Sequence, residues 1–176
     1  PRGERRQSLH RIPPVHVSAT PAVARWIAET GPDAVLIGPD SESEQWVADI
    51  AALSGMPYQV LAKERHGDYD VRVSLPDPAA VAGRTPVLID DIVSSGHPIL
   101  ETLAHLRRLS LPSPLLVAIH PVFAGDAYAR LQEAGLARIV STDTISHPSN
   151  AIALGADLAA AASTLMTAST DSPEDP

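Results

Sequence analysis

The sequence predicts an α/β domain with a parallel sheet covered by helices on both faces. Three observations carry this. Short apolar runs bounded by Gly or Pro recur, as in Ala34-Val35-Leu36-Ile37 before Gly38-Pro39 and Val87-Leu88-Ile89 after Pro86. Uninterrupted runs of this kind are how strands buried on both faces read. Helical patterns alternate with them, which implies crossover connections between parallel strands. Apolar residues make up 44% of the 176 but aromatics only 3%, which suits one domain with a core of small aliphatic layers.

Each element follows from local signals. Residues 1–14 are polar and basic, end in Pro13-Pro14, and read as an arm or linker. Residues 21–29 form a helix with Thr20 as N-cap and Pro21 in its first position, closed by Gly31-Pro32. A buried strand covers 34–37. A helix over 43–53 puts Trp46, Val47, Ile50 and Leu53 on one face. The next strand is 58–61. Residues 63–70 are charged and irregular, and 71–75 form a short strand. The central strand starts after Pro86, and the helix behind it carries Ile99, Leu100, Leu103 and Leu106 as far as about residue 109. A strand (115–119), a helix (126–134), a strand (138–141) and a polar loop (142–150) follow. A last helix covers 154–167. The main domain is thus 15–168, and 169–176 is an acidic tail expected to be disordered.

Several classes are excluded. A net charge of −8 argues against a nucleic-acid surface. With no cysteine there is no disulfide framework or thiolate zinc site. Arg2, Arg5 and Arg6 precede no apolar run, so no secretory signal is read. The longest apolar stretch, 151–168, is interrupted by Asp157, Ser163 and Thr164 and does not suit a membrane span. The expected location is cytoplasmic. Of seven histidines, His120 and His147 follow strands, but none pair at helical ligand spacing. His147-Pro148 reads as a loop-fixing pair.

In a parallel sheet of this type, sites lie at the carboxyl ends of strands. Four loops, after Ile37, Leu61, Asp90 and Ser141, therefore share one edge. The richest is Ile89-Asp90-Asp91-Ile92-Val93-Ser94-Ser95-Gly96-His97-Pro98. A strand runs into two carboxylates, a small-residue loop and a helix start. Loop N–H groups and a helix N-terminus attract phosphate, and carboxylates accept from sugar hydroxyls or hold a divalent cation. Plainer readings stand beside this one. Asp90-Asp91 also fits an acidic turn capping the next helix. Ser94-Ser95-Gly96 also fits an ordinary turn with a Ser cap. Asp40 also fits a turn after Gly38-Pro39, and Lys63 and Arg65 a solvated loop.

The acidic pair and loop resemble the phosphoribosyl diphosphate (PRPP) motif of type I phosphoribosyltransferases and ribose-phosphate diphosphokinases. Two positions depart from it: His97 stands where many members have Gly, and Pro98 where most have Thr. Pro98 removes one hydroxyl and one N–H donor, yet Pro is well tolerated in a first helical turn. Further stretches resemble the diphosphokinases in order: residues 36–47 (Leu-Ile-Gly-Pro-Asp-Ser-Glu-Ser-Glu-Gln-Trp-Val), 63–68 (Lys-Glu-Arg-His-Gly-Asp), 120–128 (His-Pro-Val-Phe-Ala-Gly-Asp-Ala-Tyr) and 141–150 (Ser-Thr-Asp-Thr-Ile-Ser-His-Pro-Ser-Asn). Together they span nearly all of 15–165.

The resemblance implies a three-layer, parallel-sheet, phosphoribosyltransferase-like (Rossmann-like) domain. It implies transfer of diphosphate from ATP to ribose 5-phosphate, giving PRPP and AMP, with Mg²⁺ and homo-oligomeric assembly. Asp90, Asp91, Ser94, Ser95, Gly96, His97 and Pro98 would hold ribose 5-phosphate. Asp40, Ser41 and Glu42 would form the diphosphate loop, with Asp40 also at the metal. Lys63 and Arg65 would be catalytic, and Lys63 is the chain's single lysine. No ATP-base site is visible, so the chain reads as the C-terminal half of such an enzyme, with 1–14 linking to a missing N-terminal half. Two alternatives remain: a PRPP-using phosphoribosyltransferase, and a non-catalytic domain that binds PRPP or phosphate.

Overall fold

The computed structural model describes residues 15–31, 33–66, 70–74, 77–108 and 111–170. The expected arm over 1–14 and the end of the expected tail, 171–176, lie outside the described residues. Two compact units are present, one of Ala19–Ala153 and one that among the described residues comprises 15–18 and 154–170. The second contributes the long Ala-rich helix α5 (Gly155–Thr170).

The first unit is a six-stranded sheet in the order β2-β1-β5-β6-β7-β8, parallel throughout. Its strands are β1 (Ala34–Gly38), β2 (Tyr58–Val60), β5 (Thr85–Ile92), β6 (Leu115–His120), β7 (Arg138–Thr142) and β8 (Asn150–Ile152). A separate antiparallel hairpin pairs β3 (Ala62–His66) with β4 (Asp70–Ser74). The helices are α1 (Thr20–Thr30), α2 (Glu44–Ser54), α3 (His97–Arg108) and α4 (Ala127–Glu133).

The apolar runs became the central strands for the expected reason. All five residues of β1 are buried, and Val87, Leu88 and Ile89 of β5 are at most 1% exposed. Alternation sends Leu88, Leu116 and Ala118 into a cluster with Val35, Ile37, Ile99, Leu103, Leu106 and Leu131. That cluster joins α3 and α4 to one face. The α1 and α2 helices pack on each other, and α2 packs on β1 and β2.

Several local expectations are corrected. Helix α1 begins at Thr20 with Ala19 in the cap position and no side-chain cap. A proline in the first turn forfeits no hydrogen bond, so Pro21 does not fix the start to one residue. Helix α2 begins at Glu44, because Ser41–Ser43 form a 3-10 turn ahead of it. Its buried stripe is Val47, Ile50 and Ala51, while Leu53 is 62% exposed and Trp46 half-buried. The stretch from Lys63, expected to be irregular, is strand β3. Its Lys-Glu-Arg-His run carries no strand signal of its own; backbone pairing with β4, in the register Lys63 to Val73 and Arg65 to Val71, makes it a strand. Strand β8 lies where a loop was expected to end, and three residues are too few to show a period.

The chain travels outward from β1 to β2 on one side and from β5 to β8 on the other. The order therefore reverses between β1 and β5. In open parallel sheets the crevice outside the carboxyl ends at such a point is where ligands bind.

Candidate functional site

The reversal crevice is flanked by the loops that leave β1 and β5. Strand β5 runs to Ile92, so Asp90 and Asp91 stand on its last turn of pleat and not in a loop. The two carboxyl groups are close enough to share a side-chain hydrogen bond. Asp90 is half-buried and Asp91 exposed. The backbone N–H of Ile92 donates to Asp91 Oδ1 at 2.8 Å.

Burial pushes the Asp90 carboxyl up to about 7, with the charges of Asp91 and Asp40 adding to it against a backbone bond from Asp91. Three carboxylates thus share one field at the crevice. Desolvation and like charge together are how sites hold a carboxyl near neutrality. Among the described residues, no three His, Cys, Asp or Glu side chains are grouped closely enough to cage a metal. Hard oxygen donors in a negative field nevertheless suit Mg²⁺, which keeps several waters and needs only one or two carboxylates.

On the β1 side, Gly38 permits close approach. A Cβ there would lie 2.3 Å from Ser43 Oγ and 3.3 Å from Val60 Cγ2. Asp40 is extended and caps the 3-10 turn: its Oδ1 accepts from Glu42 N–H at 3.0 Å and Ser43 N–H at 3.1 Å. Ser43 Oγ donates to the Asp40 carbonyl at 2.5 Å. Ser41 and Glu42 are exposed on that turn. The turn reading of Asp40 is therefore correct as far as it goes, and its charge still reaches Asp90.

On the β5 side, Ser94 and Ser95 are exposed, and Gly96 is buried at φ 71. A Cβ on Gly96 would meet Leu131 Cδ1 at 3.1 Å in a left-handed conformation that disfavours any side chain. Helix α3 then starts at His97, with Pro98 in its first turn and both residues exposed. Among the described residues, the N–H groups of Ser94, Ser95 and Gly96 donate to no protein acceptor. His97 N–H reaches Ser95 Oγ only at 3.4 Å. The loop's carbonyls are bound elsewhere: Phe123 N–H donates to Val93 O at 2.8 Å and Ala124 N–H to Ser94 O at 3.0 Å. Open N–H groups ahead of a helix N-terminus form a receptor for an anion.

Lys63 and Arg65 lie two apart on β3. The hairpin springs from the same sheet edge, since Leu61 N–H donates to Gly38 O at 3.0 Å. Its base is tied a second time where Asp77 N–H, after β4, donates to Gln59 Oε1 of β2 at 3.1 Å and Gln59 Nε2 donates to the Asp77 carbonyl at 2.5 Å. Thus Asp40, Asp90, Asp91 and Ser94 to Pro98 gather at one crevice, and Lys63 and Arg65 are carried on a hairpin rooted beside it.

Sequence reasoning read His147 as fixing its loop but gave no role to Phe123 and Tyr128, the other two rings of an aromatic trio. Their ring centroids lie 5.1, 4.7 and 4.5 Å apart. The available signal was that Phe123 is the chain's single phenylalanine. His120 Nδ1 lies 3.0 Å from Thr144 Oγ1, itself bonded to the Ile119 carbonyl at 2.8 Å.

A parallel sheet with an acidic strand end and an open anion loop at its reversal point is a doubly wound α/β domain suited to a phosphorylated ligand. The phosphoribosyl transferase domain family matches residues 10–157, and the chain belongs to it. It is 30% identical over 156 residues to the ribose-phosphate pyrophosphokinase of Methanopyrus kandleri, covering 88% of this chain and 53% of that protein. It is 32% identical over 130 residues to ribose-phosphate pyrophosphokinase 2 of Archaeoglobus fulgidus, covering 74% and 47%. Phosphoribosylpyrophosphate synthetase from Mycobacterium smegmatis shares the fold with a TM-score of 0.69 at 24% identity, over 88% of this chain and 51% of that one. The chain spans about half the length of the curated relatives it matches. No helix among the described residues is long and apolar enough to cross a membrane.

Proposed function

We propose that this chain is the ribose 5-phosphate-binding half of a ribose-phosphate diphosphokinase. The reaction moves the β,γ-diphosphate of ATP to the anomeric hydroxyl of ribose 5-phosphate, giving PRPP and AMP. The observation that carries the reading is the run of three open N–H groups, Ser94 to Gly96, one strand end away from Asp90. The relatives' names point the same way.

In this reading the 5-phosphate sits on the N–H groups of residues 94–97, with the hydroxyls of Ser94 and Ser95 adding donors. Pro98 starts the helix without offering another. Asp90 and Asp91 accept from the ribose hydroxyls, which orients the anomeric oxygen toward the β1 loop. Asp40, Ser41 and Glu42 border the diphosphate, and Asp40 and Asp90 have the donor chemistry to hold hydrated Mg²⁺. When bound, Mg²⁺ neutralises charge on the transferring phosphates. Lys63 and Arg65 bring further cations to the charge that develops in transfer, from a hairpin able to close over the crevice. ATP's base is read by a part of the protein beyond this half. The reading places the enzyme in the cytoplasm as a homo-oligomer, which sedimentation of the purified protein tests.

The test is ³¹P NMR with ribose 5-phosphate, Mg²⁺ and ATP, alongside amide spectra of the labelled chain. Ribose 5-phosphate is expected to shift the amides of Ser94, Ser95 and Gly96 without AMP forming from this half alone. AMP and PRPP from this chain would refute the half-enzyme reading. Silence of those three amides would refute the site.

A further inference from the structure

The phosphate loop is held from behind by a segment that carries the one non-glycine residue at positive φ among those described. That residue is Phe123, at φ 38. Left-handed backbone is disfavoured for a bulky residue, so something must hold it there. The rings hold it. Phe123 is 8% exposed and stacks at a tilt on Tyr128 of α4 and on His147 of the β7–β8 loop. His147 is itself fixed, with Nδ1 accepting from Ser149 N–H at 3.2 Å and lying 2.8 Å from Ser149 Oγ.

The backbone consequence is specific. The turn at Phe123 aims two successive N–H groups at the phosphate loop, Phe123 to Val93 O and Ala124 to Ser94 O. Val93 N–H in turn donates to His120 O at 3.1 Å. With these carbonyls drawn toward Phe123 and Ala124, the N–H groups of the same two peptides, those of Ser94 and Ser95, are left open, and Gly96 N–H follows them in the turn. A peptide whose carbonyl is bound on one side offers its N–H on the other.

We infer that Phe123 is a positioning residue for phosphate: its anchored ring fixes the strained backbone that turns the carbonyls of Val93 and Ser94 away from the anion. The inference rests on the phosphate reading of the loop. It assigns a function to a strained residue that touches no ligand, which is where strain is expected to be informative.

The experiment is titration of the full chain with ribose 5-phosphate, read by amide shifts and calorimetry well below the melting temperature. Phe123→Leu keeps an apolar side chain but removes the ring contacts. It is expected to weaken binding about tenfold and to move the unliganded amides of Ser94 to Gly96, leaving those of Glu42 and Ser43 in place. Phe123→Tyr is expected to retain wild-type affinity. A role limited to stability would lower the melting temperature and leave the affinity of the folded protein unchanged, and that result for Phe123→Leu would overturn the inference. Should Phe123→Leu not fold, Tyr128→Leu removes one ring partner. A loss of about threefold with the same amide shifts supports the inference, and wild-type affinity overturns it. If the wild-type loop itself fails to respond to ribose 5-phosphate, the phosphate reading has failed instead, and that is visible before any variant is made.

Discussion

The two loops that flank the crevice use their polar groups in opposite ways. In the β1 loop nearly everything is bound internally: Asp40 Oδ1 caps two N–H groups, and Ser43 Oγ takes the Asp40 carbonyl. In the β5 loop the carbonyls are bound to a neighbouring segment and three N–H groups are open. The first loop is stable by itself. In the proposed reading the second is completed by an anion. Binding capacity is found where hydrogen-bond potential has been withheld from the fold, and Asp90 shows the same conflict in its titration.

The largest effect is expected at Asp90. Its folded carboxyl titrates near 7, against an ordinary value of 3.8. Between those values the folded state holds a proton that the unfolded chain has released. Stability therefore falls as pH rises through that window, and the loss is complete above about pH 7. Asp90→Asn escapes it. At about pH 8 the variant is expected to be more stable by on the order of 1–2 kcal/mol, allowing for solvent screening of a half-buried group. The gain should vanish as pH falls toward 4. Affinity for ribose 5-phosphate should move the other way, down about ten- to a hundredfold, as for a lost hydrogen bond to a charged group. Mg²⁺ should raise the wild-type melting temperature more than that of the variant. Calorimetric scans and titrations at two pH values decide this, and equal stability at both would remove the conflict.

Asp40→Ala should do the reverse. Losing a cap costs about 1 kcal/mol, so the melting temperature falls. Affinity for ribose 5-phosphate should change less than threefold. If it fell as far as in Asp90→Asn, the two loops would not be divided as described.

Gly38→Ala sharpens the same contrast through packing. The new Cβ would press on Ser43 Oγ, which must then leave its bond to Asp40. A loss of about 1 kcal/mol is expected, from one hydrogen bond. In a Ser43→Ala background that bond is already gone, so the second substitution should cost markedly less. A double-mutant cycle with additive losses would show that the contact does not matter.

Much of this arrangement was legible in the chain. Apolar runs such as Val35-Leu36-Ile37 and Val87-Leu88-Ile89 announce strands buried on both faces, and Asp90-Asp91 before Ser94-Ser95-Gly96 marks the strand end that matters. Strand β3 was not legible, because Lys63 to His66 gain their strand from pairing with β4. Nor was the withheld hydrogen bonding. That Ser94 keeps an open N–H depends on Phe123 reaching the Val93 carbonyl across 30 residues of chain, and no local pattern encodes such a contact. The positive φ of Phe123 is likewise a product of ring contacts with residues 5 and 24 positions away.

The smallest effect tests whether the openness of the β5 loop is a backbone property. Ser95 Oγ lies 3.4 Å from His97 N–H, at the weak limit of a hydrogen bond. Ser95→Ala should change stability by no more than about 0.5 kcal/mol and leave the amide shifts induced by ribose 5-phosphate at Ser94 and Gly96 intact. Affinity should fall only about two- to fivefold, the share of one neutral hydroxyl donor among several N–H groups. A loss as large as that of Asp90→Asn would mean that side chains, and not the peptide groups left open by residues 120–124, hold the phosphate. The contrast between the loops would then reduce to their side chains, and Phe123 would have nothing to position.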